Sequence, residues 1–376
     1  MVPFFPDDLF AADREVLLDL LYELGTGPAQ RFILGEHTAR FERELREQLG
    51  AADVVTCSSG TSALTLLLHA MGVGPGDEVI TPAFGCAPLA STVVNLGARP
   101  VFADIDPVTM TMDPAQAERL ISPRTKVVLP AHMFSAMADM PAFADLAARH
   151  GLRLLEDSAV AQGGVLDGRP AGLWGEAGVY SFVQVKTFGS IGEGGAVVTK
   201  DPELGRAVRM LRNHGQDGRT RFRHHRIGYN SRFDELMALF QLHRLPGLPE
   251  RLERRAHIAA YYNARFEPLA EQGIRPPPGG RNGRCYYVYC LRAQRRDELQ
   301  QHLAQQGVGT HVYYPRPLPR QPAFSSWATG SWPQAELASR EILALPIYPH
   351  LTDAQVEQIA DAVCSFVPAP APAGTR

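Results

Sequence analysis

Between about residues 50 and 200 the chain alternates short β-branched apolar runs with stretches whose apolar positions recur at helical spacing. Val79-Ile80-Thr81 precedes a helical stretch at 88–96, after which comes Pro100-Val101-Phe102-Ala103-Asp104. Lys126-Val127-Val128-Leu129-Pro130 precedes a helical stretch at 140–150, after which comes Leu152-Arg153-Leu154-Leu155-Glu156-Asp157. This alternation predicts an α/β fold, a mostly parallel sheet covered by helices on both faces, because parallel neighbours need crossovers long enough to hold a helix. In such sheets ligands gather at the carboxyl ends of the strands. Asp157 closes an apolar strand and Gly60-Thr61 stands just before a helical run at 62–71, so both fall where a ligand is expected.

Residues 235–272 read as one long helical segment, broken or bent near Pro246 and Pro249. Its charge run, Arg251-Leu252-Glu253-Arg254-Arg255, reads as a solvated helix face, and Pro276-Pro277-Pro278-Gly279-Gly280 reads as a linker. A β-rich stretch, a helix near 296–306 and a last helix at 353–366 suit a small α+β domain. The expected division is an N-terminal segment (1–34), a large α/β domain (35–245), a small C-terminal α+β domain (246–366) and a tail (367–376) whose Pro/Ala composition predicts disorder.

Composition narrows the partners. At 376 residues, 45% hydrophobic and 20% charged, the chain reads as a soluble globular protein with a substantial core. A net charge of −3 gives no reason to expect nucleic acid, and small-molecule partners are expected instead. No run of about 18 apolar residues and no basic-then-apolar leader is present, so a cytoplasmic protein without a membrane span is expected. Five cysteines, an odd number without a regular framework, read as thiols in a reducing compartment. Cys285 and Cys290 flank the β-rich run Tyr286-Tyr287-Val288-Tyr289, where positions five apart face opposite sides; His224 and His225 are adjacent; no metal is expected.

The chemistry concentrates on Lys186, in Ser181-Phe182-Val183-Gln184-Val185-Lys186, followed by Gly192-Glu193-Gly194-Gly195-Ala196. A lysine amine condenses with an aldehyde when its surroundings keep it neutral often enough to attack. Together with the carboxylate Asp157 and the small-polar turn Ser58-Ser59-Gly60-Thr61-Ser62, it makes the set of groups that pyridoxal phosphate requires. Taken singly, each has a plainer reading: a strand-end lysine, a turn-forming aspartate, a helix cap. The glycines after Lys186 open no helix as Gly-x-Gly-x-x-Gly, so they read as tight backbone beside the lysine rather than a dinucleotide fingerprint.

In order and spacing, several segments resemble the DegT/DnrJ/EryC1/StrS family of sugar aminotransferases, over about residues 35–363. They are Gly74-Pro75-Gly76-Asp77-Glu78-Val79-Ile80, Pro123-Arg124-Thr125-Lys126, Leu155-Glu156-Asp157, Ser181-Phe182 with Lys186, Leu211-Arg212-Asn213-His214-Gly215, Gly228-Tyr229-Asn230-Ser231-Arg232 and Leu345-Pro346-Ile347-Tyr348-Pro349. The resemblance implies the fold-type I architecture of transferases dependent on pyridoxal 5′-phosphate: a mostly parallel seven-stranded sheet between helices, plus a smaller C-terminal α+β domain. It implies that Lys186 forms the Schiff base and shuttles a proton, and that Asp157 pairs with the pyridine nitrogen. Gly60, Thr61 and Ser181 would hold the phosphate at a helix start. Asn230 would reach the phosphate of a neighbouring subunit, which makes a homodimer with a shared active site the expected assembly.

Two positions depart from the family pattern. Cys86 stands where an aromatic residue commonly stacks on the cofactor ring, so that Phe84 or another group must cover that face or binding is weaker. Val160 stands where a polar side chain usually touches the ring hydroxyl, and Gln162 lies two residues further on. On the substrate side, Arg232 suits a donor carboxylate, acceptor phosphates or a structural salt bridge. Basic and aromatic residues at 219–225 and in His311-Val312-Tyr313-Tyr314-Pro315-Arg316, His311 and Tyr313 foremost, are candidates for the acceptor pocket or a surface loop.

The implied reaction moves an amino group from L-glutamate to a keto group of a nucleotide-linked, dTDP-type keto-deoxysugar. The 228–235 segment looks closer to enzymes acting on 3-keto sugars than on 4-keto sugars. Alternatives are a cyclitol ketone of the scyllo-inosose type as acceptor, and a non-catalytic regulatory or binding protein on the same fold. A sugar dehydratase on this fold carries a histidine in place of the lysine, against which Lys186 stands.

Overall fold

The computed structural model describes residues 1–26, 31–220 and 222–366; the expected disordered tail at 367–376 lies outside them. Its centre is a seven-stranded sheet of β1 (Asp53–Cys57), β2 (Glu78–Pro82), β3 (Arg99–Ala103), β4 (Thr125–Val128), β5 (Arg153–Asp157), β6 (Ala177–Ser181) and β7 (Gly195–Thr199), in the spatial order β1-β7-β6-β5-β4-β2-β3. All neighbours run parallel except β7, which is antiparallel to both β1 and β6. The helices that flank or follow these strands are α1 (Arg14–Thr26), α2 (Glu36–Leu49), α3 (Gly60–Ala70), α4 (Pro88–Asn95), α5 (Pro114–Glu118), α6 (Met140–His150), α7 (Pro202–Arg212) and α8 (Glu235–Arg244). Helices α1, α2, α5 and α7 and strands β1, β6 and β7 were not among the elements expected from the sequence.

The period-two pattern of the strands sorts the core into two faces. Val55, Val79, Val127, Leu155, Val179 and Val197 pack with Leu64, Leu67 and Leu68 of α3 and with Leu204 and Val208 of α7. Their immediate neighbours point the other way. Val54, Tyr180 and Val198 meet Phe41 and Leu45 of α2 and Leu242 of α8, while Ile80, Val128 and Leu154 meet Phe143 and Leu146 of α6.

The smaller C-terminal domain is built on an antiparallel sheet of β8 (Ile274–Arg275), β9 (Tyr289–Ala293) and β10 (Ile342–Leu345), with α10 (Arg296–Gln305), α11 (Pro333–Glu341) and α12 (Asp353–Cys364) around it. The long helix α9 (Leu248–Phe266) joins both parts: Leu248 packs into the large-domain cluster, Ile258, Tyr262 and Phe266 into the small one. Three expectations shift here. The proline run at 276–280 connects β8 to β9 inside the small domain. The β-rich run begins at Tyr289 rather than Tyr286, because Arg255 takes the carbonyls of Tyr286 and Tyr287 that a strand would pair. The charge run of α9 is not a solvated face throughout: Arg255 is only 7% exposed. The start of the chain is also tied down, since Val2 bonds to Gly307 and Gly309 (2.7 and 2.8 Å) and packs in the small-domain core.

One buried ion pair anchors α2 and α7 to the sheet edge. Arg212 donates to Glu42 (2.5 Å) and to the carbonyl of Thr56 (2.6 Å), while the Thr56 amide and hydroxyl donate to Glu42 (2.9 and 2.7 Å). Burial pushes the Glu42 carboxyl up, but the charges of Arg212 and Arg209 outweigh it and hold the group below the usual carboxylate range. Arg212→Met is expected to cost about 3 kcal/mol in urea denaturation, the low end for an orphaned buried charge because Arg209 still pairs with Glu42. A folded value below the unfolded one contributes stability that is present above the unfolded value and is lost as pH falls through the folded value. The variant should therefore lose part of the wild-type dependence of stability on pH in the acid range.

Candidate active site

The carboxyl ends of β5 and β6 and the start of α3 open on a cavity of about 220 Å³. Among its lining residues are Gly60, Thr61, Cys86, Asp157, Val160, Ser181, Lys186 and Tyr313. Eight of the site residues expected from sequence are thus brought together, although they span more than 250 positions. Asn230, Arg232 and His311 do not line it.

Lys186 is set by the aromatic anchor that precedes it. Phe182, fully buried, packs against Phe41, Phe188 and Phe233 with ring centroids 5.7, 5.9 and 6.0 Å away. From that anchor the chain turns: the Lys186 amide bonds to Val183 (2.9 Å) and Gly189 to the Lys186 carbonyl (3.1 Å). Gly189 must lack a side chain, since a Cβ there would sit 2.3 Å from the Gln184 carbonyl oxygen. The Lys186 ammonium lies 4.4 Å from the centre of the Tyr287 ring. The chain has only three lysines; Lys126 is held by Asp77 (2.9 Å) and Lys200 by the Trp174 carbonyl (3.2 Å). Lys186 is the one facing the cavity.

The turn before α3 is built for an anion. Ser59 caps the helix by accepting from the Ser62 amide at 3.0 Å, and its carbonyl takes the Ala63 amide at 2.9 Å. The amides of Gly60 and Thr61 keep no hydrogen-bond partner among the described residues. Unpaired first-turn amides and the helix dipole favour negative charge. Ser181 closes the cradle: a Cβ on Gly60 would meet the Ser181 Cβ at 2.8 Å. Gly195, paired with Ser181 across β6 and β7, packs so tightly on the turn that its Cβ would sit 2.5 Å from the Ser59 carbonyl carbon. Of the glycines after the lysine, Gly195 is thus required by packing against this turn, and Gly194 by packing against Phe233 and Phe182.

Asp157 is 8% exposed, and its carboxylate accepts only from the Ala159 amide (3.0 Å). Burial raises its pKa; that amide and the charge of Lys186 partly offset the rise. A buried carboxylate at a cavity wall, with no ion pair among the described residues, is suited to a cationic hydrogen-bond donor. His132, next to it, was not expected. Its Nδ1 accepts from the Ala138 amide (3.1 Å), which places the ring proton on Nε2, toward Glu156 (3.3 Å). Glu156 in turn holds the amides of Gly172, Trp174 and Gly175 (2.8, 2.6 and 2.9 Å).

The two departures are resolved in part. Phe84 does not cover the ring position of Cys86; it is buried below, against Tyr314 (5.7 Å) and Phe134 (6.1 Å). Phe134, Tyr287 and Tyr314 line the cavity instead. Phe134 and Tyr314 both have φ of 53°, a left-handed conformation uncommon for aromatic residues and found where surrounding structure imposes it. Gln162 does not line the cavity, and its side-chain amide is buried without a partner. The segment bearing Asn230 runs along α3, with Tyr229 bonded to His69 and Ser231 to Ser58 (each 3.0 Å), yet Asn230 itself is exposed. His311 sits behind Tyr313, their rings 4.7 Å apart. Tyr314 belongs to the segment 311–316 expected near the acceptor pocket, whereas nothing in the sequence marked His132, Phe134 or Tyr287 for the site, because separate loops deliver them.

A lysine, a buried carboxylate and an anion cradle converging at the strand ends of this sheet define a pyridoxal-phosphate-dependent transferase. Residues 25–364 match the DegT/DnrJ/EryC1/StrS aminotransferase family, and the chain belongs to it; it is an aminotransferase, with pyridoxal 5′-phosphate as cofactor. The chain is 40% identical to a pleiotropic regulatory protein of Geobacillus stearothermophilus, covering 90% of this chain and 91% of that one. It is 39% identical to dTDP-3-amino-3,4,6-trideoxy-alpha-D-glucose transaminase of Streptomyces venezuelae, covering 89% and 88%. The crystal structure of NtdA from Bacillus subtilis with bound cofactor PMP superposes with a TM-score of 0.89 at 29% identity, covering 96% of this chain and 84% of that one.

Gly195→Ala is expected to cost about 1–3 kcal/mol of stability by overpacking and to weaken cofactor binding by displacing the Ser59-Gly60 turn. Urea denaturation and fluorescence titration with pyridoxal phosphate read the two effects. An unchanged cofactor affinity would show that this turn does not carry the phosphate.

Proposed function

We propose that this aminotransferase transfers an amino group from L-glutamate to the keto group of a nucleotide-linked keto-deoxysugar. The convergence of Lys186, Asp157 and the Gly60-Thr61 amides on one cavity carries the reading. Pyridoxal phosphate supplies, when bound, an aldehyde for amine exchange and a ring that takes up the electron pair left at carbon when a proton departs. Lys186 is the amine that anchors the cofactor and, once freed by the donor, the base that moves a proton at the donor's α-carbon. Asp157 keeps the ring nitrogen protonated. Gly60, Thr61 and Ser181 hold the phosphate; Cys86 and Val160 form apolar walls beside the ring. Tyr313 is the proposed acceptor contact, with His311 positioning it. A dTDP-linked sugar aminated at C3 is the preferred acceptor, supported by the likeness to the Streptomyces venezuelae transaminase.

Borohydride reduction of the purified protein should leave a cofactor adduct on the peptide containing Lys186, and prior addition of L-glutamate should prevent it. An adduct on another lysine, or none, sinks the assignment of Lys186. Activity with scyllo-inosose, and none across a panel of dTDP- and UDP-linked keto sugars, would replace the sugar with a cyclitol.

The same reading includes a homodimer in which Asn230, and beside it Arg232, serve the neighbouring copy's cavity. Support comes from their absence from their own cavity and from the apolar surface nearby: Phe222 and Ile227 are 71% and 90% exposed. Ile227→Asp is expected to shift the protein to monomer in sedimentation velocity and to lower cofactor retention. A dimer unchanged by this variant places the interface elsewhere.

A further inference from the structure

A second cavity shares only Lys186 and Tyr287 with the first. It is enclosed by the N-terminal residues 4–6, the lysine-bearing turn at 184–187, the junction of α8 and α9, and the small-domain segment 345–350. Three guanidiniums line it, those of Arg244, Arg251 and Arg255, with His350 beside them. No Asp or Glu is among the described residues that line it.

Every recorded hydrogen-bond acceptor of these arginines is a neutral carbonyl. Arg255 donates to Tyr286 (3.3 Å), Tyr287 (3.0 Å) and Ile347; Arg251 to Arg244 (2.7 Å); Arg244 to Gly189 (3.1 Å). The Nε–H groups of both Arg251 and Arg255 are buried with no partner among the described residues. The nearby carboxylates offset burial only in part: Asp13 favours the charged forms of Arg244 and Arg251, and Glu250 that of Arg251, but neither lines the cavity and neither acts on Arg255. Arg251 and Arg255 stand four apart on α9, a spacing at which like charges repel. Burial pulls each of them down to about 10.

A buried cation without a counter-charge is costly, and a buried N–H without an acceptor adds to the cost. The charge deficit is met by one anion with oxygen acceptors in the cavity, held through the guanidinium N–H groups that reach that space. Size selects the ligand class. The cavity of about 50 Å³ holds roughly three to five waters, at about 10–15 Å³ each, which is the volume of a carboxylate or phosphate group and far below that of a sugar nucleotide.

We propose that this cavity binds one small oxyanion, a carboxylate or inorganic phosphate, between Arg251 and Arg255. The bound anion ties together the first residues of the chain, the turn that carries Lys186 and the small domain. The site is independent of which amino acceptor the enzyme uses.

The test uses the cofactor-loaded protein and compares inorganic phosphate with acetate, each against chloride at equal ionic strength. One of the two is expected to raise the melting temperature saturably, and equilibrium dialysis with that anion should find one bound per chain. Saturation by phosphate identifies an inorganic oxyanion and saturation by acetate a carboxylate. Arg251→Gln should weaken the apparent affinity about tenfold or more, and Arg251→Lys, which keeps the charge but loses the fork, should weaken it as well. Neither substitution should move the borohydride adduct from Lys186. An effect matched by chloride, an affinity unchanged in both variants, or no saturable binding because a second copy's carboxylate fills the cavity overturns the proposal.

Discussion

The contact on which the site depends is a backbone-to-backbone one: Gly195 of β7 lies against the Ser59-Gly60 turn, so close that no side chain fits between them. The same strand pairs with β6 through Ser181, which in turn touches Gly60. A single antiparallel strand in an otherwise parallel sheet therefore fixes the start of α3 against the end of β6. The cradle amides, the Ser181 hydroxyl and the lysine turn that leaves β6 inherit their relative positions from it. Oriented dipoles held this way need no reorganisation when an anion arrives, and that preorganisation is where such sites gain their strength.

Charge is distributed around the cavity with a matching economy. Asp157 is buried at a strand end with a single amide donor, a state that favours pairing with a cationic ring. Its neighbour Glu156 faces the opposite way and spends its carboxylate on three loop amides and His132. Adjacent strand residues point to opposite faces, so of two consecutive carboxylates one lines the cavity and the other holds the scaffold. The small domain contributes aromatic walls through Tyr287, Tyr313 and Tyr314, which come from segments ordered by α9 and by the edge of its sheet rather than by the main sheet.

Strands β2 to β5 and helices α3, α4, α6 and α8 were legible because period-two and helical spacings report burial directly. The helices at 88–95, 140–150, 296–305 and 353–364 fall where their patterns put them. The run at 251–255 misled because charged residues on a helix are normally solvated, and only the approach of the 345–350 segment and the chain's first residues buries Arg255. Tyr286 to Val288 misled in the same way: β propensity was high, but Arg255 captured the carbonyls a strand needs.

By itself, the sequence determined the α/β class, the family and the presence of a lysine, a carboxylate and a small-polar turn, since these depend on local spacing and residue chemistry. Tertiary structure decided which of the candidates share a cavity, bringing Tyr313 in while leaving Asn230, Arg232 and His311 out. It also decided that His132, Phe134 and Tyr287 line the same cavity as the lysine and that Arg251 and Arg255 face a second cavity with no carboxylate in its described lining. Contacts between residues a hundred or more positions apart arise from how packed elements meet, and no spacing along the chain encodes them.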